Sequence, residues 1–243
     1  MYFCGWRTRR LLDQIKVEED WPKLIVRDLP GSAPVPRAPR RDPKRDPEPW
    51  ELELLGLISE QGAIPLDQLA RFRDCTMAEA KRIAKTLAQV AFANCESLLA
   101  DQPDWVWLGR AGARLAPTPL GPWIMRVGGL EQVRALNELR LRFEPRSPES
   151  KWVGRRILLH RQGGREAGIP DAAVELADDS HALVLRKNSR NREVFARRLS
   201  AIRRNYDAVI CICATPLLRR RMEASQERYL WPDLVIGDLC ESK

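Results

Sequence analysis

The sequence predicts an α+β chain built from two folded units. Three observations predict it: short amphipathic helical segments that end in a hairpin, a break rich in proline and glycine, and then a helix, strands, helix, strand order. The elements follow in chain order. Residues 1–29 offer only a short helical stretch from Trp6 to Val17, and no function attaches to them. Residues 30–49 hold seven prolines with Arg37, Arg40, Arg41, Lys44 and Arg45 among them and almost no large apolar residue, the composition of an extended linker. Such a linker is a solvated spacer or a basic arm lying along phosphates.

Residues 50–116 form the first predicted domain. Trp50–Ser59 carries Leu52, Leu55 and Ile58 at helical spacing and stops near Gly62, and Leu66–Arg71 is opened by Pro65 at a first-turn position. Thr76 with Glu79 three residues later makes a capping box, after which Met77, Ala80, Ile83, Ala84 and Leu87 mark one face of a helix over Thr76–Val90. Ala93–Leu99 and Trp105–Leu108 flank Asp101, Pro103 and Asp104 as two strands of a hairpin. Three helices and a hairpin in this order predict a winged helix-turn-helix. Lys81, Arg82 and Lys85 lie opposite the apolar stripe, and a helix of this kind enters the major groove of DNA. Lys81 and Arg82 are the candidates for base edges, with Lys85 and Arg110 for phosphates. A solvated basic face is the plainer alternative. Trp105 and Trp107 offer stacking surfaces for bases, or pack in the core with one ring in and one out or both against the same helix stack.

Pro117, Pro119, Gly121 and Pro122 mark the junction, and residues 123–239 form the second predicted domain. Leu130, Val133, Leu136, Leu139 and Phe143 make a helical stripe, and Lys151–Leu158, Ala172–Leu176 and His181–Arg186 read as strands, the last two joined by the Ala177–Ser180 turn. Val194, Phe195, Leu199 and Ile202 give another helix that leads into the buried-strand run Asp207–Ala214. Thr215 and Pro216 start a further helix, and Leu234–Ile236 suggests a closing strand. This order is that of a restriction-endonuclease-like α/β core.

Several stretches then resemble a known family. Trp105–Arg114, the helix Leu130–Leu141 with Asn137-Glu138-Leu139-Arg140, Lys151-Trp152-Val153, Ile169–Glu175 and Arg204–Val209 are together similar to the replication-relaxation family of bacterial plasmids and integrative elements. The resemblance covers roughly residues 50 to 239. It implies a winged helix joined to a nuclease-like domain, acting in plasmid replication, transfer or transcriptional control. A nuclease of this core needs carboxylates around a divalent cation, typically magnesium, plus a lysine. The resemblance makes Glu138 the helix carboxylate, Asp171 the strand carboxylate and Lys187 the lysine. Relatives place glutamates where this chain has Val184 and Arg186, and a serine, glutamate and arginine where it has Gly154-Arg155-Arg156. An apolar residue does not ligate a hard cation and arginine repels it. The expectation is therefore a nuclease-like domain without activity, no metal and no cofactor. Magnesium enters only if a displaced carboxylate such as Glu175 or Asp178 completes the site. Outside catalysis, Asp171 reads as a strand-start cap and Glu138 as a partner of Arg134 or Arg142.

Composition points the same way. The 243 residues carry 41 Lys and Arg against 33 Asp and Glu, a formal charge of +8, which favours a polyanionic partner. From Arg186 to Arg221 eleven basic residues face only Glu193 and Asp207, so the bias is concentrated there, with Arg197, Arg198, Arg203 and Arg204 as candidate DNA contacts. No apolar run approaches the roughly 20 residues that span a bilayer, and the first ten residues lack the apolar core of a secretory signal, so a cytoplasmic protein is expected. The six cysteines show no CxxC spacing and read as reduced, with Cys211 and Cys213 on one strand face. His160 and His181 read as ordinary surface or strand residues, and Gly128-Gly129 and Gly163-Gly164 as turns. The reading is a double-stranded DNA-binding protein, with a homodimer and docking to a relaxase or replication initiator as compatible partnerships.

Overall fold

A computed structural model of the protein describes residues 45–100, 102–122, 127–146, 148–186, 191–229 and 234–238. They belong to two compact units divided between Leu141 and Arg142, and the chain is of mixed α and β structure. Residues 1–29, the linker before Arg45, and Lys187 fall outside the described residues.

In the first unit the order is α1 (Pro49–Gln61), β1 (Ala63–Pro65), α2 (Leu66–Phe72), α3 (Met77–Gln89), β2 (Ala93–Glu96), β3 (Trp105–Leu108), α4 (Arg110–Leu115) and α5 (Leu130–Phe143). The predicted helices are present within a few residues of their expected ends. Helix α3 begins as its sequence dictates: the Glu79 backbone N–H donates to Thr76 Oγ1 at 3.2 Å while Glu79 Oε2 accepts the Thr76 N–H at 2.9 Å. Such a cap contributes about 1 kcal/mol. Gly62 ends α1 at φ 88°, a backbone conformation glycine adopts without strain.

Strand β1 is too short to have a sequence signature. It exists because Ala63, Ile64 and Pro65 pair antiparallel with Trp107, Val106 and Trp105, giving the sheet order β1-β3-β2. All four residues of β3 are buried. Val106 and Leu108 pack into the core made by Leu54, Leu55, Ile58, Leu69, Ala80, Ala84, Leu87 and Phe92, whereas Trp105 and Trp107 pack with Ala63, Leu130 and Val133. The two indoles, two residues apart on one strand, thus share a face and are covered by α5. They are core groups, and neither is placed to stack on a base. Gly112 lies so close to the Phe92 carbonyl that a Cβ would stand 1.9 Å from its oxygen.

Helix α5 corrects the expected boundary at residue 123, since up to Leu141 it belongs to the first unit. Polar contacts fix it there. Arg134 pairs with Asp67, Arg140 Nη1 reaches Glu60 at 2.9 Å, and the buried Asn137 side chain donates to the Ala63 carbonyl at 3.1 Å.

The second unit holds β4 (Lys151–Gly154), α6 (Arg155–Arg161), β5 (Ala172–Glu175), β6 (Ser180–Arg186), α7 (Arg192–Ile202), β7 (Ala208–Cys213), α8 (Pro216–Tyr229) and β8 (Leu234–Asp238). The sheet order is β4-β5-β6-β7-β8, antiparallel through the first three strands and parallel through the last three. The expected strand Lys151–Leu158 is half right: pairing ends at Gly154 and a helix starts at Arg155. Its apolar residues read equally well as strand or helix, and Leu158 packs beneath the sheet with Val153, Ile169 and Ala173. Ala182, Val184, Val209 and Cys211 continue that face under Phe195, Leu199, Leu218 and Met222 of α7 and α8, and Cys213 shares the same core.

Candidate nucleic-acid interface

The apolar side of α3 enters the core through Ala80, Ala84 and Leu87. Met77, expected in that stripe, is instead 46% exposed at the first turn. The opposite side presents Lys81, Arg82 and Lys85, all exposed and without an ion pair to any described residue. Arg110, the first residue of α4 directly after β3, is exposed in the same way. Glu79, the acid nearest in sequence, is committed to the cap: the Thr76 N–H and hydroxyl hold its carboxyl below the ordinary range.

Arg45, the last basic residue of the predicted linker, is engaged within the first unit. Its guanidinium makes a fork to the buried Glu51, Nη2 to Oε1 at 2.6 Å and Nη1 to Oε2 at 2.7 Å, and lies 5.8 Å from the Phe92 ring centre. Burial raises the Glu51 pKa, but the Arg45 fork and the Glu48 N–H outweigh it and leave the carboxyl below its usual value. The last arginine of the linker therefore staples the chain to the first unit.

Glu138 is likewise spent locally. Only 4% exposed, it accepts Arg71 Nη1 at 2.6 Å and Gln68 Nε2 at 3.3 Å. Arg71, reached from another helix, is thus a partner that the expected choice of Arg134 or Arg142 did not include, and Arg134 itself pairs with Asp67.

In the second unit Asp171 directly precedes β5, and its N–H donates to the Leu183 carbonyl of β6 at 2.9 Å. It is 2% exposed. Oδ2 accepts the Leu185 N–H at 2.8 Å and Oδ1 accepts Arg198 Nη2 at 3.0 Å, while Arg155 Nη1 stands 3.9 Å away. Both arginines also donate to the Ile169 carbonyl. Val184 is fully buried, and the Arg186 guanidinium lies 4.1 Å from the Phe195 ring centre. Burial lowers the Arg155, Arg156 and Arg186 pKa values, that of Arg156 to about 10.

This donor set does not fit magnesium, which takes oxygen ligands: the Asp171 carboxylate is met by two guanidiniums. Glu175 does not complete it. Four residues along an extended strand place it about 13 Å from Asp171, and it pairs with Arg161. Asp178 is exposed beyond the same strand end. Among the described residues, no three His, Cys, Asp or Glu side chains converge as metal ligands.

The basic run from Arg186 to Arg221 is not one surface. Arg186 is buried, Arg192 donates to Ser225, Arg198 to Asp171, and Arg219 to Glu223. Arg198, expected to contact DNA, is thus tied by one edge inside the fold. Arg197, Arg204, Arg220 and Arg221 are exposed without such partners among the described residues, and Arg203 is half-buried. Runs of charge in sequence do not reveal which arginines answer a buried carboxylate, and Gly154-Arg155-Arg156 was the only hint of the second guanidinium.

Compared with known proteins, the chain matches no family model, no curated sequence and no solved structure. Among the described residues, no helix is long and apolar enough to cross a membrane.

Proposed function

We propose that this protein binds duplex DNA through its first unit, read as a winged helix-turn-helix, and that its second unit is a restriction-endonuclease-like core that has lost its cation site. The helix, strand, helix, helix, strand, strand order with a β1-β3-β2 sheet supports the first part. One observation carries the reading: Lys81, Arg82 and Lys85 stand exposed, with no ion pair among the described residues, on a helix whose other face is locked in the core. On this reading α3 enters the major groove, Lys81 and Arg82 approach base edges, and Lys85 and Arg110 hold phosphates. Val184 and Arg186, standing where the resemblance expects glutamates, and the two arginines on Asp171 support a core without nuclease chemistry. The resemblance to the replication-relaxation family extends the proposal to a mobile-element protein acting in replication, transfer or transcriptional control in the cytoplasm, with a relaxase or replication initiator as its protein partner.

Duplex affinity measured against salt tests the proposal. Binding is expected to fall steeply as salt rises, by a slope of about 0.9 for each phosphate neutralised. Lys81→Ala with Arg82→Ala is expected to weaken a selected site more than random duplex. Replacing Arg197, Arg204, Arg220 and Arg221 with Gln is expected to lower affinity equally on all sequences and to flatten the slope. Absence of binding at low salt would remove the reading.

A further inference from the structure

The Arg155 and Arg198 guanidiniums converge on one point of the second unit. Arg155 Nη1 donates to the Ile169 carbonyl at 3.1 Å and to the Pro170 carbonyl at 3.2 Å, and Arg198 Nη2 donates to the same Ile169 oxygen at 3.0 Å. Sharing that oxygen keeps the two nitrogens no more than about 6 Å apart. Asp171 is the carboxylate at this point, and it is buried; Glu166, the next nearest acid acting on Arg155, is exposed and forms no ion pair with either arginine. Among the described residues, the Arg155 and Arg198 charges therefore meet at the buried Asp171 carboxylate.

Each arginine is fixed through a single nitrogen. Among the described residues, Nε and Nη2 of Arg155, and Nε and Nη1 of Arg198, have no acceptor, and both side chains remain 28% exposed. Fixed guanidiniums with open N–H edges are preorganised for a tetrahedral oxyanion, because the fork matches paired phosphate oxygens and its anchoring is complete before the ligand arrives. Asp171 orients Arg198 and supplies no ligand of its own.

We propose that Arg155 and Arg198 form a metal-independent binding site for a backbone phosphodiester, so that the second unit grips one phosphate of the nucleic acid through guanidinium. The identification of that phosphate as DNA rests on the DNA-binding reading above; the oxyanion site itself does not.

The test uses the full chain in excess chelator. The dinucleotide dTpdT is titrated while the arginine Nε–Hε signals are followed by NMR, with Arg155→Lys and Arg198→Lys each removing one signal to assign the pair. Saturable shifts of both signals, together with a loss of duplex affinity on the order of fivefold and of about one unit of salt slope in either variant, are expected. Unmoved Arg155 and Arg198 signals overturn the site, even if duplex binds elsewhere. Shifts with dTpdT in a protein that fails to bind duplex uphold the site and sink the DNA-binding reading instead. Equal shifts with inorganic phosphate, without loss of duplex affinity in the variants, overturn the backbone assignment in favour of a free phosphate. Thermal melting of each Lys variant within a few degrees of the parent shows that the loss is local, and the dinucleotide shifts on the parent protein decide the matter if a variant melts lower.

Discussion

Arg71 Nη1 meets Glu138 Oε2 at 2.6 Å, joining α2 to α5 through a carboxylate that motif order had offered as a catalytic group. The pair is asymmetric, with the Glu138 side chain 6% exposed and that of Arg71 49%. Solvent screens the arginine, so the bond's value lies mainly in satisfying the buried acid and Gln68 together. Glu138→Gln is accordingly expected to lower the stability of the first unit by about 1–2 kcal/mol, read as an earlier urea midpoint. An unchanged midpoint would show that the contact is incidental.

Ala91 sits at φ 65° between α3 and β2, where the Phe92 N–H closes back on the Leu87 carbonyl at 2.9 Å. A side chain is strained in that conformation and glycine is not. Ala91→Gly is expected to stabilise the protein by about 0.5–1 kcal/mol. Gly112→Ala is expected to do the reverse by about 3 kcal/mol, because its Cβ meets the Phe92 carbonyl and the backbone has to move. Both are read from denaturant curves, and a destabilised Ala91→Gly would show that the turn does not govern this junction.

Catalysis separates the proposed function from its main rival. With valine at position 184 and arginines on the Asp171 carboxylate, the local charge opposes a magnesium or manganese ion. Supercoiled plasmid is expected to stay intact with either metal. Nicking that Asp171→Ala abolishes, while DNA binding persists, would establish an active centre and reverse the assignment.

His181 is 1% exposed in β6, and its Nδ1 has no hydrogen-bond partner among the described residues. Burial depresses its pKa below the ordinary value near 6.5 despite Asp179 and Asp207 nearby. The unfolded chain then takes up a proton at a pH where the folded one does not. Stability is expected to be full above about pH 6.5 and to decline as pH falls below it, until the folded group also titrates. Glu51, whose folded pKa is lowered, adds its own loss only below about pH 4.5. Comparing melting at pH 7.5 and 5.5 for the parent and His181→Leu checks this: the variant should lose most of the difference, and an identical pH dependence would rule His181 out.

The sequence by itself determined the elements whose causes are local. The Thr76–Glu79 box and the Ala80, Ala84, Leu87 stripe required α3, and the basic residues opposite them were exposed because a helix with one buried face has to present the other. The apolar run Ala208–Cys213 required a buried strand for the same kind of reason. Tertiary structure alone decided what depends on partners distant in the chain. Three residues, Ala63–Pro65, become a strand only when Trp105–Trp107 lies beside them, and both indoles are buried only because α5 covers their face. Glu138 and Asp171 looked alike as isolated acids. One is answered by Arg71, 67 residues away, and the other by Arg198 and Arg155, 27 and 16 residues away. A buried carboxylate has to be neutralised by whatever the fold brings to it, and no spacing rule within the sequence names that partner.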